Sequence, residues 1–315
     1  MTLNPNPQHA SQPGDPKIMP THPISADLNE PLAGASQSSI SYHYDIGRDV
    51  YAMILDPMLV YSAACWDGVT SLEDAQAAKM TYHLDAANVR EGSRLLDIGC
   101  GWGGLIRAAS ARGISHATGL TLSEDQYDFV KDLALPDVNI HLTSYENFPA
   151  KRPYDAAISI GAFEHFVKPG MSAAERLRIY ERFFQQVARW LKPGGRLSLQ
   201  TIYWADIDPA YAEQIVPVDV FPESDLPLLS EIFAASRMTF EPTAMTASAD
   251  DYVRTLREWL RRLRAHRAEI EASPRGPELV KFFEDYFRTS IVGFRKRRIG
   301  LCRVAFRRLD RAGTV

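Results

Sequence analysis

The residues best placed to do chemistry lie in one short stretch, which reads Leu95, Leu96, Asp97, Ile98, Gly99, Cys100, Gly101, Trp102, Gly103, Gly104. An apolar run ends in Asp97, a glycine-rich turn follows, and a helix-forming segment begins at Leu105. A strand, a tight turn and a helix start in that order bring backbone N–H groups and a helix N-terminus close to a ligand. Gly99, Gly101 and Gly104 also satisfy the G-x-G-x-x-G spacing of dinucleotide sites. Asp97 argues the other way, because a carboxylate entering the turn repels a pyrophosphate. It suits a cationic or neutral ligand such as S-adenosylmethionine, which carries an ammonium and a sulfonium and no phosphate. A turn that binds nothing is the structural alternative, and its glycines would then cost backbone entropy without return.

The surrounding pattern alternates strand and helix, as in parallel α/β sheets. Short apolar or β-branched runs predict strands over 94–98, 116–122, 138–142, 156–160 and 196–203, with a last strand over 299–309. Between them, Ser172 and Glu175 have the spacing of a capping box. Behind them Ile179, Phe183, Val187 and Trp190 recur at helical intervals, a core-facing stripe. The Lys-Pro-Gly-Gly run at 192–195 ends that helix. Residues 252–272 predict a basic helix. Residues 205–235 break the rhythm with scattered prolines and predict either a lid over the site or a plain surface excursion. Residues 1–38, rich in Pro, Asn, Ser and Gln, predict a disordered lead into one domain over 39–315.

The 315 residues are 45% hydrophobic and 23% charged, with a net charge of −4. That balance fits a globular protein with a sizeable core and gives no general attraction to nucleic acid. Cys65, Cys100 and Cys302 have no metal-ligand spacing and fit a reducing cytoplasm. No run of about 18 apolar residues predicts a membrane span, and no signal-peptide pattern opens the chain.

Further blocks narrow the reading. They are His43-Tyr44-Asp45, Tyr61-Ser62, the 71–76 run Ser-Leu-Glu-Asp-Ala-Gln, the glycine turn, the 119–123 run Gly-Leu-Thr-Leu-Ser with Gln126, the 159–166 run Ser-Ile-Gly-Ala-Phe-Glu-His-Phe, and Tyr252 with Thr255, Leu256 and Trp259. From about Tyr42 onward the chain resembles the cyclopropane fatty acid synthases, including the mycolic acid cyclopropane synthases, which are class I S-adenosylmethionine-dependent methyltransferases. The resemblance implies an α/β Rossmann-like fold, with a seven-stranded, mostly parallel sheet, helices on both faces, a reversed last hairpin and helical additions roofing the site. It implies that Tyr61 and Ser62 touch the methionine part of the cofactor, with Asp97, Gly99 and Gly101 beneath it. Thr121, Leu122 and Gln126 then lie at the ribose, Tyr145 and Glu146 at the adenine edge, and Ile160 in the wall. Glu164 matches an active-site carboxylate, and Ile202 and Tyr252 match members of a bicarbonate-binding cluster, so Glu164 and Tyr252 are the candidate catalytic residues.

Plainer readings stand beside these. Gln126 has the spacing to cap its own helix from Ser123. His165 is read as structural, because adjacent residues do not face one another. The arginines at 254, 257, 261, 262, 264 and 267, with the basic run at 295–298, either meet an anionic partner such as a phospholipid surface or an acidic carrier, or form a solvated face with acidic partners.

Two positions depart from the family pattern. Ala63 stands where the family has Cys, and Gln200 where it has His. Both fall in the bicarbonate cluster, so the cofactor site is intact and the base site is altered. The expected acceptor is the double bond of an unsaturated acyl chain, and the product is a cyclopropane or a methyl branch. A small-molecule C- or N-methyltransferase without bicarbonate-dependent ring closure is the alternative. Oligomeric state is left open.

Overall fold

The computed structural model describes residues 48–205, 224–273 and 275–310. The expected disordered lead and most of the expected lid, 206–223, lie outside the described residues. Seven strands form one sheet: β1 (Arg94–Ile98), β2 (His116–Thr121), β3 (Val138–Leu142), β4 (Tyr154–Ile160), β5 (Leu191–Trp204), β6 (Phe240–Ala247) and β7 (Ile299–Arg308). Their order is β3-β2-β1-β4-β5-β7-β6. β7 runs antiparallel to both β5 and β6, which makes the reversed last hairpin. The chain winds outward from β1 through β2 to β3, then returns to lay β4 on the other side of β1. Ligands bind outside the carboxyl ends of strands at such a switch point.

The elements follow from local chemistry. β1 is buried from Leu95 through Ile98, as a central parallel strand covered on both faces must be. Helices α1 (Arg48–Ile54) and α2 (Leu72–Ala86) precede it, and α3 (Gly104–Ser110) and α4 (Glu124–Asp132) follow β1 and β2. α5 (Ala173–Trp190) starts at the predicted capping box: Ser172 Oγ accepts from the Glu175 amide, and Glu175 Oε2 accepts from the Ser172 amide at 2.8 Å. Its stripe of Ile179, Phe183, Val187 and Trp190 is buried against β4 and β5.

Three features differ from the sequence expectation. β6 was not foreseen, because only Phe240 of its residues is buried and Pro242 interrupts it; pairing with β7, not an apolar pattern, makes it a strand. The basic helix is shorter than expected. It spans α7 (Ala249–Ala265), breaks at His266 and resumes as α8 (Arg267–Glu271). α9 (Gly276–Arg295), also unforeseen, packs along α7, and the two helices share with α1 a second core built on Trp259, Tyr51, Phe283 and Phe287.

Residues 224–235 are the described end of the segment expected as a lid or a surface excursion. These residues lead into α6 (Leu229–Ser236), which packs on α5 as part of the body. Arg176 of α5 clamps them: Nε donates to Glu231 Oε1 at 2.7 Å, Nη2 to Glu231 Oε2 at 2.9 Å and to the Leu226 carbonyl at 2.8 Å, and Nη1 pairs with Asp225. No helix among the described residues is long and apolar enough to cross a membrane.

Removing one side of a buried ion pair leaves the other charge uncompensated. Arg176→Leu is therefore expected to lower stability by about 3 kcal/mol in urea unfolding. Pairing it with Glu231→Leu should recover part of that loss.

Candidate active site

A cavity of about 380 Å³ opens at the carboxyl ends of β1, β2 and β4. Its floor is the glycine turn. Gly99 has φ +81°, and a Cβ there would stand 2.6 Å from the Ala162 Cβ, so no larger residue fits between the turns leaving β1 and β4. Gly101 also has positive φ (+53°) but meets nothing within 4 Å where its Cβ would be, which leaves its backbone open to the cavity.

Every residue expected at the cofactor lines this one cavity. Tyr61 and Ser62 come from the loop before α2, and Asp97, Gly99 and Gly101 from β1 and its turn. Thr121, Leu122 and Gln126 come from the end of β2 and from α4. Tyr145 and Glu146 come from the single 3-10 turn after β3, and Ile160 from the end of β4.

Their contacts sharpen the alternatives. Ser123 Oγ does cap α4, accepting from the Gln126 amide at 3.3 Å. The Gln126 side chain does not complete a capping box. Its Oε1 accepts from the Thr121 hydroxyl at 2.7 Å, and Thr121 in turn accepts from the Ser123 amide at 3.2 Å. Thr121 and Gln126 therefore reach the cavity as a locked pair. The Tyr145 ring packs on Phe166, centroids 4.6 Å apart, and edge-on to Phe183 at 5.3 Å. Tyr61 stacks on Trp259 at 5.1 Å, and Trp259 meets the edge of Tyr252 at 6.2 Å. An aromatic path thus joins the cavity wall to the roof helices.

Glu164 and Tyr252 do not line this cavity. Glu164 sits in a 3-10 turn (Phe163–His165) just after β4, with Oε1 accepting from the Ile202 amide at 2.7 Å. Oε2 makes no hydrogen bond of ordinary geometry among the described residues. Burial pushes this carboxyl up to about 7, opposed by the Ile202 amide and the nearby Thr201 hydroxyl. His165, its neighbour in sequence, turns elsewhere and hydrogen-bonds the Ser224 hydroxyl through Nδ1 at 2.7 Å. Tyr252 is buried against Phe294, centroids 4.7 Å apart.

The two departures from the family pattern meet in one buried network. Gln200 Oε1 accepts from Arg303 Nε at 2.8 Å and lies 3.4 Å from His83 Nε2, while Gln200 Nε2 donates to the Ala63 carbonyl at 3.4 Å. Burial pulls His83 down to about 3, so its ring is neutral. With Nε2–H aimed at Gln200, Nδ1 accepts from the Ser198 hydroxyl at 2.8 Å. Arg303 further donates to Ser248 Oγ (2.8 Å), Asp251 Oδ2 (3.1 Å) and the Ala64 carbonyl (2.9 Å). The Gln200 amide is thus turned to the Ala63 carbonyl.

Sequence reading missed Gln76, Lys79 and His83, all of α2. Gln76 Nε2 donates to the Ser62 carbonyl at 3.0 Å, and Lys79 Nζ donates to Ser62 Oγ at 2.6 Å. Lys79 lines the cavity, and burial pulls its ammonium down to about 7. A signal existed: these three recur at helical spacing among Leu72, Ala75, Met80 and Leu84, so the buried face of α2 carries a polar stripe. Arg303, a hundred residues from Gln200, gave none.

The basic face of α7 has acidic and aromatic partners. Arg261 and Arg262 pair with Glu258, Arg262 also with Glu73, and Arg264 with Glu284. Arg254 lies over the Trp66 ring at 4.2 Å.

Asp97 is almost wholly buried, and its Oδ2 has no partner among the described residues. Burial pushes its carboxyl up to about 7, with Lys79 opposing. A raised carboxyl pKa means that the folded state holds its proton more tightly than the unfolded chain, so stability is lost as pH rises towards about 7. Asp97→Asn is expected to raise the ligand-free melting temperature by a few degrees at pH 8 and to have little effect at pH 4. The same substitution should weaken cofactor binding; a thermal scan at both pH values with a calorimetric titration checks both.

Comparison with known proteins agrees with this geometry. The family described as mycolic acid cyclopropane synthetase matches residues 34–304. The cyclopropane-fatty-acyl-phospholipid synthase of Escherichia coli (strain K12) is 32% identical over 267 residues, 84% of this chain and 66% of that protein. This chain therefore spans about two thirds of the length of that relative, falling slightly short of it. Cyclopropane mycolic acid synthase 2 of Mycobacterium bovis is 31% identical over 286 residues, covering 84% of this chain and 92% of that one. Among solved structures, mycolic acid cyclopropane synthase CmaA1 complexed with SAH and CTAB superposes with a TM-score of 0.76 at 28% identity, over 87% of this chain and 99% of the other. A coclaurine N-methyltransferase, at 20% identity and a TM-score of 0.72, shares the fold. With its seven-stranded sheet and these matches, the chain belongs to the mycolic acid cyclopropane synthetase family.

Proposed function

We propose that this chain transfers a methyl or methylene group from S-adenosylmethionine to the double bond of an unsaturated acyl chain. The observation that carries the reading is the single cavity onto which every expected cofactor residue converges. The cavity fits that cofactor. Its glycine floor leaves backbone open at Gly101, and Asp97 Oδ2 is a buried acceptor without a partner, suited to an ammonium. Thr121 and Gln126 offer paired polar atoms to a ribose, and Glu146, lining the same cavity, offers an acceptor to an adenine edge. When bound, the cofactor supplies an electrophilic methyl on a sulfonium.

Glu164 is the base in this reading. Its Oε1 is anchored to the Ile202 amide, and its turn borders the cavity through Ala162, His165 and Phe166, so a shift of that turn brings the buried Oε2 to the methylated acceptor to take a proton. A carboxyl at about 7 is matched to proton transfer near neutral pH. Tyr252 adds an aromatic face beside Phe294, and such faces stabilise passing positive charge. Because Gln200 is committed to Arg303 and Ala63, Glu164 carries the proton-accepting role without help from that side. The free thiols fit a cytoplasmic setting. The partners found for the arginines of α7 favour a solvated face over a dedicated lipid-binding one.

Glu164→Gln is expected to lower turnover about 100-fold or more while leaving cofactor affinity within about twofold, read by steady-state assay and calorimetry. Activity requires the ionised carboxylate, so wild-type turnover should fall as pH drops through about 7. An unchanged profile in the variant would remove Glu164 from the chemistry.

The product is read by mass after incubation with isotopically labelled methyl donor and a lipid extract. Gain of one CH₂ with loss of the double bond is ring closure; the same gain with the double bond kept is a methyl branch. Labelling confined to a parallel small-metabolite extract would overturn the acyl reading.

A further inference from the structure

The loop over 59–66, which brings Tyr61 and Ser62 to the cavity, has no helix or strand of its own. Its backbone is held from outside. Gln76 of α2 donates to the Val60 and Ser62 carbonyls at 3.3 and 3.0 Å. Gln200 of β5 donates to the Ala63 carbonyl at 3.4 Å, and Arg303 of β7 to the Ala64 carbonyl at 2.9 Å. The Cys65 amide donates to the Ala75 carbonyl at 3.0 Å.

The roof helix α7 takes hold of the same loop through Asp251 and Thr255. Asp251 Oδ1 accepts from the Trp66 amide at 3.3 Å. Thr255 Oγ1 accepts twice, from the Ala64 amide at 3.1 Å and from the Trp66 indole Nε1 at 2.9 Å, and donates its own proton to the Asp251 carbonyl at 2.8 Å. One proton and two lone pairs are thereby all used. A bond to the carbonyl four residues back is the ordinary habit of a helical threonine and would satisfy the hydroxyl by itself. It does not account for two N–H groups from a distant loop converging on the same buried oxygen. With valine at 255 both would lose their acceptor, at the cost of two desolvated donors. The helix has no need of this hydroxyl, and the loop does. Tyr252, Thr255 and Trp259 share one face of α7, and Tyr61 stacks on Trp259 at 5.1 Å.

We infer that Thr255 is a positioning residue for the proposed methyl transfer: its hydroxyl hangs the cavity-facing loop from α7 and so sets Tyr61 and Ser62 against the cofactor in fixed relation to Tyr252. This assignment rests on the cofactor reading given above and adds to it the group that holds that part of the site in place.

Two thiols supply the test. Cys65 is half-buried in the loop, and Cys302 is buried within β7. Iodoacetamide labelling of the ligand-free full chain, with each thiol read by mass, separates opening of the loop from opening of the sheet. Calorimetric titration with S-adenosylhomocysteine reads the site itself. Thr255→Val is expected to label at Cys65 about tenfold faster or more, with Cys302 within about twofold of wild type, and to bind S-adenosylhomocysteine about tenfold or more weakly. Thr255→Ser keeps the hydroxyl and should return both readouts to within about threefold of wild type. The inference is overturned, and the cofactor reading left standing, if Thr255→Val leaves either affinity or Cys65 labelling unchanged, if both thiols speed up alike, or if serine gives no rescue. Failure of wild type to bind S-adenosylhomocysteine overturns the cofactor reading, and the labelling ratio then decides whether the hydroxyl holds the loop. Thr255→Ala removes the same acceptor and decides the matter if Thr255→Val does not fold.

Discussion

The tightest constraint in the structure is the contact between the turns leaving β1 and β4. These strands are neighbours whose connections run to opposite sides of the sheet, so their exits must pass each other at the switch point. At Gly99 the gap to Ala162 is too small for any side chain. That contact fixes the cavity floor and sets Asp97, paired in register with Gly119 and Ile158, at its base. Gly119 is squeezed in turn between Ile106, Ile140 and Cys100, which seats α3 close on the sheet. Cavity geometry here is a consequence of backbone packing, and side chains are placed by it.

A second organising element is the guanidinium of Arg303. It joins β7, β5, the loop at 63–64 and the start of α7 through one buried set of hydrogen bonds. Fully satisfied polar networks of this kind rigidify what they connect. The positions where the chain departs from its family, Ala63 and Gln200, belong to this network. Gln200 therefore reads as scaffold, while Glu164 lies apart from it and keeps an oxygen unengaged.

The parallel strands were legible because each is a short apolar run bounded by turn residues, and the glycine turn was legible because its spacing and Asp97 leave few ligands possible. The residues expected at the cofactor came through the resemblance, and each lines the one cavity. What stayed hidden shares a physical cause. β6 is an exposed edge strand, so nothing in its own sequence marks it. The polar stripe of α2 mixes with apolar residues on the buried face and cancels the helix's amphipathic signal. Arg303 reads as a lone charge until the sheet brings it beside Gln200. The Arg176 clamp on 225–231 stayed hidden because its partners lie about fifty residues further along the chain.

The stack of Tyr61 on Trp259 makes the wall of the cavity part of the roof's own core. Loosening α7 against α9 would unseat Tyr61 as well, so the helical roof and the cavity beneath it stand or melt as one cooperative unit.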